Sequence, residues 1–324
     1  MTARRRRELT AGQRLGLYGA VLAALFALSF AVAGQVVPDG AAAARADART
    51  TQEPGGHGEG EPSAGGHGAG SDEEAAEPPG AAHVRGLALE QDGLLLGPVD
   101  APGEAGRAGT LSFTVTTADG EAVTDFATAH EKKLHLVVVR TDGALFRHVH
   151  PTMSADGVWS LPWAWEEAGS YRVLVDLVPE RTGQGVTLGR TVEVAGEVGP
   201  RPAERAASSA TVDEYTVTLD GALEAGGESV LTARVLRDGE PVTDLEPYLG
   251  AFGHLVVLRA GDLGYLHVHP EDRPDGAAPG PGEVSGPEVT FVTSAPTPGR
   301  YLLYLDFKVD GEVRTAHLVL DAPA

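Results

Sequence analysis

Short runs rich in Val, Leu, Thr and aromatic residues recur from residue 83 to the end of the chain, each bounded by Gly, Pro or Asp. Runs of that length and composition predict β-strands. In the first half they fall at 85–90, 110–117, 134–140, 145–150, 158–165, 170–178 and 187–194. In the second half they fall at 214–220, 229–237, 254–259, 265–269, 288–293, 300–308 and 314–320. Trp159, Leu161, Trp163 and Trp165 alternate along one run, so they share a face, which is expected to be core. This region shows no helical period. The expected fold is all-β, with two tandem antiparallel sandwiches at 83–195 and 210–324. A segment rich in Pro, Ala and Glu at 196–209 joins them.

The pattern before residue 83 is different. Residues 15–33 are apolar or small, interrupted only by Tyr18 and Ser29. About 20 such residues cross a bilayer as a helix. Arg4, Arg5, Arg6, Arg7 and Arg14 stand just before them, in a basic tail at 1–14. The positive-inside rule then keeps the tail cytoplasmic and exports the rest of a single-pass protein anchored in the cell membrane. The alternative is a signal peptide cut after Ala31-Val32-Ala33, which secretes the same domains. Residues 34–82 are rich in Ala, Gly, Pro and Glu and read as a disordered tether.

Composition narrows the partners. The formal net charge is −21, and with the five basic-tail arginines and Glu8 set aside, 20 basic face 45 acidic residues. So acidic a chain repels phosphate backbones, which excludes nucleic acid as an expected partner, and it attracts cations. The absence of cysteine rules out disulfides, thiolate metal sites and a cysteine nucleophile.

One histidine pattern occurs twice, at an offset of 119 residues. The first copy is Leu134-His135-Leu136-Val137-Val138-Val139, a turn at Asp142-Gly143, then His148-Val149-His150-Pro151. The second is Gly253-His254-Leu255-Val256-Val257-Leu258, a turn at Gly261-Asp262, then His267-Val268-His269-Pro270. Residues two apart in a strand point to one face. A two-residue hairpin turn sets His135 opposite His150 and His254 opposite His269, bringing three imidazoles together in each copy. Three nitrogen ligands suit Cu2+ or Zn2+ better than Ca2+ or Mg2+. Asp176 and Asp306 recur at the ends of matched strands and are candidate fourth ligands. Asp125 and Asp244 are weaker ones, and His130 has no counterpart, since Leu249 takes its place. The competing reading makes the histidines structural.

The paired His…His-x-His-Pro repeats, followed by Asp156-Gly157-Val158-Trp159 and Gly169-Ser170-Tyr171, resemble exported actinobacterial proteins loosely described as heavy-metal-binding or secreted. The second part of that pattern also looks like the immunoglobulin-like YtkA/FixH-type modules. The resemblance implies immunoglobulin-like sandwiches outside the cytoplasm and copper handling, and supplies no catalytic residues. The expected function is a membrane-anchored, extracytoplasmic carrier or buffer for Cu2+ or Zn2+, with a metal ion and another cell-envelope protein as partners. The alternative is a cell-surface interaction module. No enzyme is expected, because no nucleophile motif, paired carboxylates or phosphate-binding Gly loop accompanies the histidines.

Overall fold

The computed structural model describes residues 84–203, 205–266, 268–271, 278–280 and 282–324. The basic tail, the expected membrane span at 15–33 and the tether at 34–82 lie outside the described residues. Among the described residues no helix is long and apolar enough to cross a membrane.

The first repeat contains β1 (Glu90–Gln91), β2 (Leu94–Leu96), β3 (Gly109–Thr117), β4 (His135–Arg140), β5 (Arg147–Val149), β6 (Thr152–Met153), β7 (Val158–Trp163), β8 (Gly169–Leu177) and β9 (Val186–Val194). They form two antiparallel sheets, β1-β2-β3-β7-β6 and β5-β4-β8-β9. The second repeat contains β10 (Ser209–Val212), β11 (Tyr215–Asp220), β12 (Glu228–Arg237), β13 (Glu240–Pro241), β14 (His254–Arg259), β15 (Gly264–Leu266), β16 (Val268–Pro270), β17 (Glu288–Ser294), β18 (Gly299–Val309) and β19 (Glu312–Ala322). Its sheets are β10-β11-β12-β17-β16, with β13 on β12, and β15-β14-β18-β19.

In each repeat the strand order is that of an immunoglobulin-like sandwich, A-B-E-D on one sheet and C′-C-F-G on the other. A tyrosine corner supports the assignment twice. Tyr171 near the start of β8 donates its hydroxyl to Glu167 O at 2.7 Å, and Tyr301 in β18 donates to Thr297 O at 2.7 Å. The all-β expectation holds. The three tryptophans are buried in the first core, with Leu161 partly buried beside them.

The sheets carrying β4 and β14 are covered on both faces. Leu136, Val138, Val173 and Val175 face the first core, and Leu255, Val257, Leu303 and Leu305 face the second. The alternate positions meet in a third apolar cluster between the repeats. It joins Val137, Val139 and Leu174 to Val256, Leu258, Leu302, Tyr304 and Val319. Unbroken apolar runs at 136–139 and 255–258 follow from this, since a strand buried on both faces has no solvent side to alternate toward. Phe146 stacks on Tyr304 at a centroid distance of 3.9 Å, and the Tyr304 hydroxyl donates to Gly143 O at 2.6 Å. Chain before and between the sandwiches is bound into the same seam. Arg85 exchanges both backbone hydrogen bonds with Tyr265, and Arg300 donates to Ala203 O at 2.7 Å. The segment expected as a linker at 196–209 is thus docked, and its last residue opens β10.

Candidate metal centre at the seam between the repeats

The hairpin register is the one the sequence predicts. Leu136 pairs with Val149 and Val137 with His148 in the first copy; Val257 pairs with Leu266 and Leu258 with Tyr265 in the second. The first turn is closed differently from the expected two-residue form. Gly143 N donates to Arg140 O at 2.8 Å, Arg140 N donates to Ala144 O at 3.0 Å, and Leu145 takes a φ of 57°. The extra residue at Leu145 restores the predicted pairing beyond the turn, as a bulge does.

His135 therefore shares a face with Val137 and Val139, and that face is the seam. His254 shares one with Val256 and Leu258. Opposite them in register stand Asp176 on β8 and Asp306 on β18. Each of the four strands is apolar over one part of the seam and polar at the same end, which brings His135 beside His254 and Asp306 beside His254, with Asp176 next to His135 in register.

The first expected trio is assembled. Ligand-type atoms of His135, His148 and His150 lie within 4.8 Å of one another. His135 Nδ1 is 3.1 Å from His148 Nε2 and 3.1 Å from His150 Nε2. Tetrahedral ligands at the usual Zn–N length of about 2.0–2.1 Å stand about 3.3 Å apart, so this spacing needs little change to accept an ion. A second group, His148, His254 and Asp306, meets the same limit and crosses from one repeat to the other.

Partners of the outer nitrogens settle where the lone pairs point. A carbonyl oxygen only accepts, so His135 carries its proton on Nε2, which donates to Ala129 O at 3.1 Å. A carboxylate also accepts, so His148 donates from Nδ1 to Asp306 Oδ2 at 2.8 Å. Asp306 in turn accepts from the Thr315 hydroxyl on Oδ1 at 2.5 Å. In the neutral rings, lone pairs on His135 Nδ1 and His148 Nε2 then face each other. A metal ion between the rings removes that repulsion. Outer carbonyl and carboxylate partners of this kind are those that orient metal-bound histidines.

Burial governs the other rings. Burial, and next the neighbouring His148, hold the His135 imidazole down at about 3. Burial and then His148 hold His150 at about 3 as well. His254 is pushed well below the ordinary value, by burial first and then by His148 and His135. Its Nδ1 is buried without a hydrogen-bond partner among the described residues. These rings are neutral near pH 7 and offer lone pairs.

Of the second expected trio, only His254 has a described side chain. His254 sits beside the first-copy rings, with centroids 4.9 Å from His148 and 5.7 Å from His135. His267 lies outside the described residues. The backbone of His269 is in β16, which pairs with β17 in the opposite sheet, because the β14–β15 ladder stops at Leu266. Asp306 accepts from His148 of the other repeat and also lies within 4.8 Å of a ligand nitrogen of His254, its register partner in its own repeat. Asp176 accepts from the Thr187 hydroxyl at 2.6 Å, and after burial its charge is the next cause raising the Tyr265 phenol across the seam. Asp125 and Asp244 are exposed and stand in neither group.

His130 is the site residue that repeat matching set aside. Its ring centroid is 6.0 Å from His135 and 5.8 Å from His254. It sits in a two-residue turn in which Ala129 and Lys132 exchange backbone hydrogen bonds, with φ of 46° at His130 and 63° at Glu131. Such a turn favours Asn-Gly, so a His-Glu pair there is a local signal that matching the two copies cannot reveal.

Fold and site together define a tandem immunoglobulin-like protein with a histidine-lined seam. The chain belongs to the family described as Domain of unknown function (DUF8832), matched over residues 91–196 and 210–324. No curated protein matches it. Among solved structures it is similar to the adhesin InvE of Yersinia pseudotuberculosis, at 14% identity and a TM-score of 0.21, over 70% of this chain and 58% of that one. A putative membrane anchored protein from Corynebacterium diphtheriae is similar at 9% identity and a TM-score of 0.22, over 72% and 59%. Salmonella alpha-2-macroglobulin reacted with methylamine follows at 15% identity and a TM-score of 0.25, over 76% of this chain and 16% of that one. Likenesses at these scores carry no functional argument.

Proposed function

We propose that this is an extracytoplasmic, membrane-anchored binding protein for Cu2+ or Zn2+, acting as a carrier or buffer rather than as an enzyme. His135, His148 and His150 are the ligands. The observation that carries the reading is the pair of lone pairs facing each other at 3.1 Å, fixed by Ala129 O and Asp306. Nitrogen donors without sulfur suit the divalent ions, and the acidic chain draws cations toward the site. The resemblance to exported heavy-metal-binding proteins points the same way.

Isothermal titration of the purified full chain with Zn2+ and Cu2+, beside His150→Ala, tests it. Sub-micromolar binding that the variant loses supports the reading, and a folded wild-type chain that binds neither ion refutes it. In that event the second reading, a cell-surface interaction module, takes over. Its support is the docking of both sandwiches through one apolar seam, which joins them into a single platform.

A further inference from the structure

We infer that the ion site is shared between the two repeats, so that cation binding and docking of one repeat on the other are a single coupled event. This rests on the metal reading above and names how that site is regulated. Three observations carry it.

First, the carboxylate that orients His148 comes from across the seam. Asp306 belongs to β18 of the second repeat, and its contact with His148 Nδ1 at 2.8 Å is almost wholly shielded, with the two side chains 1% and 3% exposed. Thr315 on β19 holds the other carboxylate oxygen. Asp306 is thus a positioning residue, which turns the His148 lone pair toward His135 only while the repeats are docked. Second, His254 of the second repeat enters the same cluster with a buried Nδ1 that has no hydrogen-bond partner among the described residues. A buried nitrogen without a partner in a polar cluster is a costly group unless a ligand meets it. Third, the seam is closed by apolar packing along one part of β4, β8, β14 and β18, while its other end holds His135, Asp176, His254 and Asp306. Facing lone pairs weaken that polar end when it is empty of cations, and an ion between them reverses the sign.

Linkage then requires reciprocity. If docking strengthens ion binding, the ion strengthens docking by the same factor. The site reads as a clamp set into the polar end of an otherwise apolar joint.

The test uses the full chain with Zn2+ alone as the probe. Asp306→Asn keeps the shape and removes the charge; Thr315→Val removes the hydroxyl that aims the carboxylate. Loss of an outer partner of a ligand histidine typically weakens metal binding about 10–100-fold, which is expected for Asp306→Asn, with a smaller loss for Thr315→Val. Imidazole 15N spectra are expected to show the His148 Nδ1–H form in the wild type and a tautomer mixture in Asp306→Asn, a change that a purely structural role does not produce. Hydrogen exchange on adding Zn2+ is expected to slow at amides of both β4 and β14. Wild-type Zn2+ affinity in both variants, or slowing confined to the first repeat, overturns the sharing and leaves the metal reading standing. Failure of the wild type to bind Zn2+ refutes the metal reading itself, and the sharing with it.

Discussion

Acid should unfold this protein through His135, and the size of the effect follows from its burial. His135 is 5% exposed. Facing it are His130, His148, His150 and His254, with Asp306 and Lys132 close behind. Its imidazole is held at about 3, against about 6.5 in an unfolded chain. The unfolded state therefore binds a proton that the native state refuses, so the stabilising contribution is complete above pH 6.5 and declines as pH falls toward 3. At pH 5 the loss from this one group is about 2 kcal/mol. Urea denaturation of the metal-free protein at pH 7, 6 and 5, compared with His135→Gln, measures it. The wild type should lose about 2 kcal/mol more than the variant between pH 7 and 5. Carboxylates titrate in both proteins and cancel in the difference. Parallel pH profiles would refute the reasoning, since they mean that the His135 ring takes up its proton in the folded state.

Three further outcomes are expected. Tyr304→Phe removes the hydroxyl bound to Gly143 O in the buried seam and should cost about 1–3 kcal/mol, read from the shift of a urea midpoint at unchanged slope. Gly143→Ala should destabilise by more than about 1 kcal/mol, because Gly143 has a φ of 86° and an added Cβ would lie 2.5 Å from Leu302 Cδ1; an unchanged melting temperature would count against the turn as described. Saturating Zn2+ at about 100 times its dissociation constant should raise stability by about 2.7 kcal/mol, reversed by a chelator, and His150→Ala should abolish that gain.

The strands and their register were legible because period and turn spacing are local properties. The pairings of Leu136 with Val149 and of Val257 with Leu266 follow from counting outward from two turns, even though Leu145 reaches the same register by a bulge. The gathering of His135, His148 and His150 was legible for the same reason. What the sequence did not disclose was the second layer of burial. An unbroken run such as Leu136-Val137-Val138-Val139 is compatible with any partner on its outer face, and nothing local says that the partner is the other repeat. Asp306 was visible as a recurrent strand-end carboxylate, but its partner His148 lies 158 positions away in the other copy. Repeat matching also discarded His130, because it retains only what both copies keep. Gly169-Ser170-Tyr171 stood out in the sequence, but the tyrosine-corner bonds of Tyr171 and Tyr301 to Glu167 O and Thr297 O did not.

The apolar seam has a consequence for ancestry and engineering. Val137 and Val256, Val139 and Leu258, and Leu174 and Tyr304 occupy matching positions in the two copies, so the joint is built from the same patch used twice. Surfaces of that kind are self-complementary, as in a two-fold symmetric dimer. A protein with only one such repeat would leave the patch bare and should pair with itself. In this chain the two copies of the patch are joined by one backbone, so their pairing does not depend on protein concentration and dilution cannot separate them.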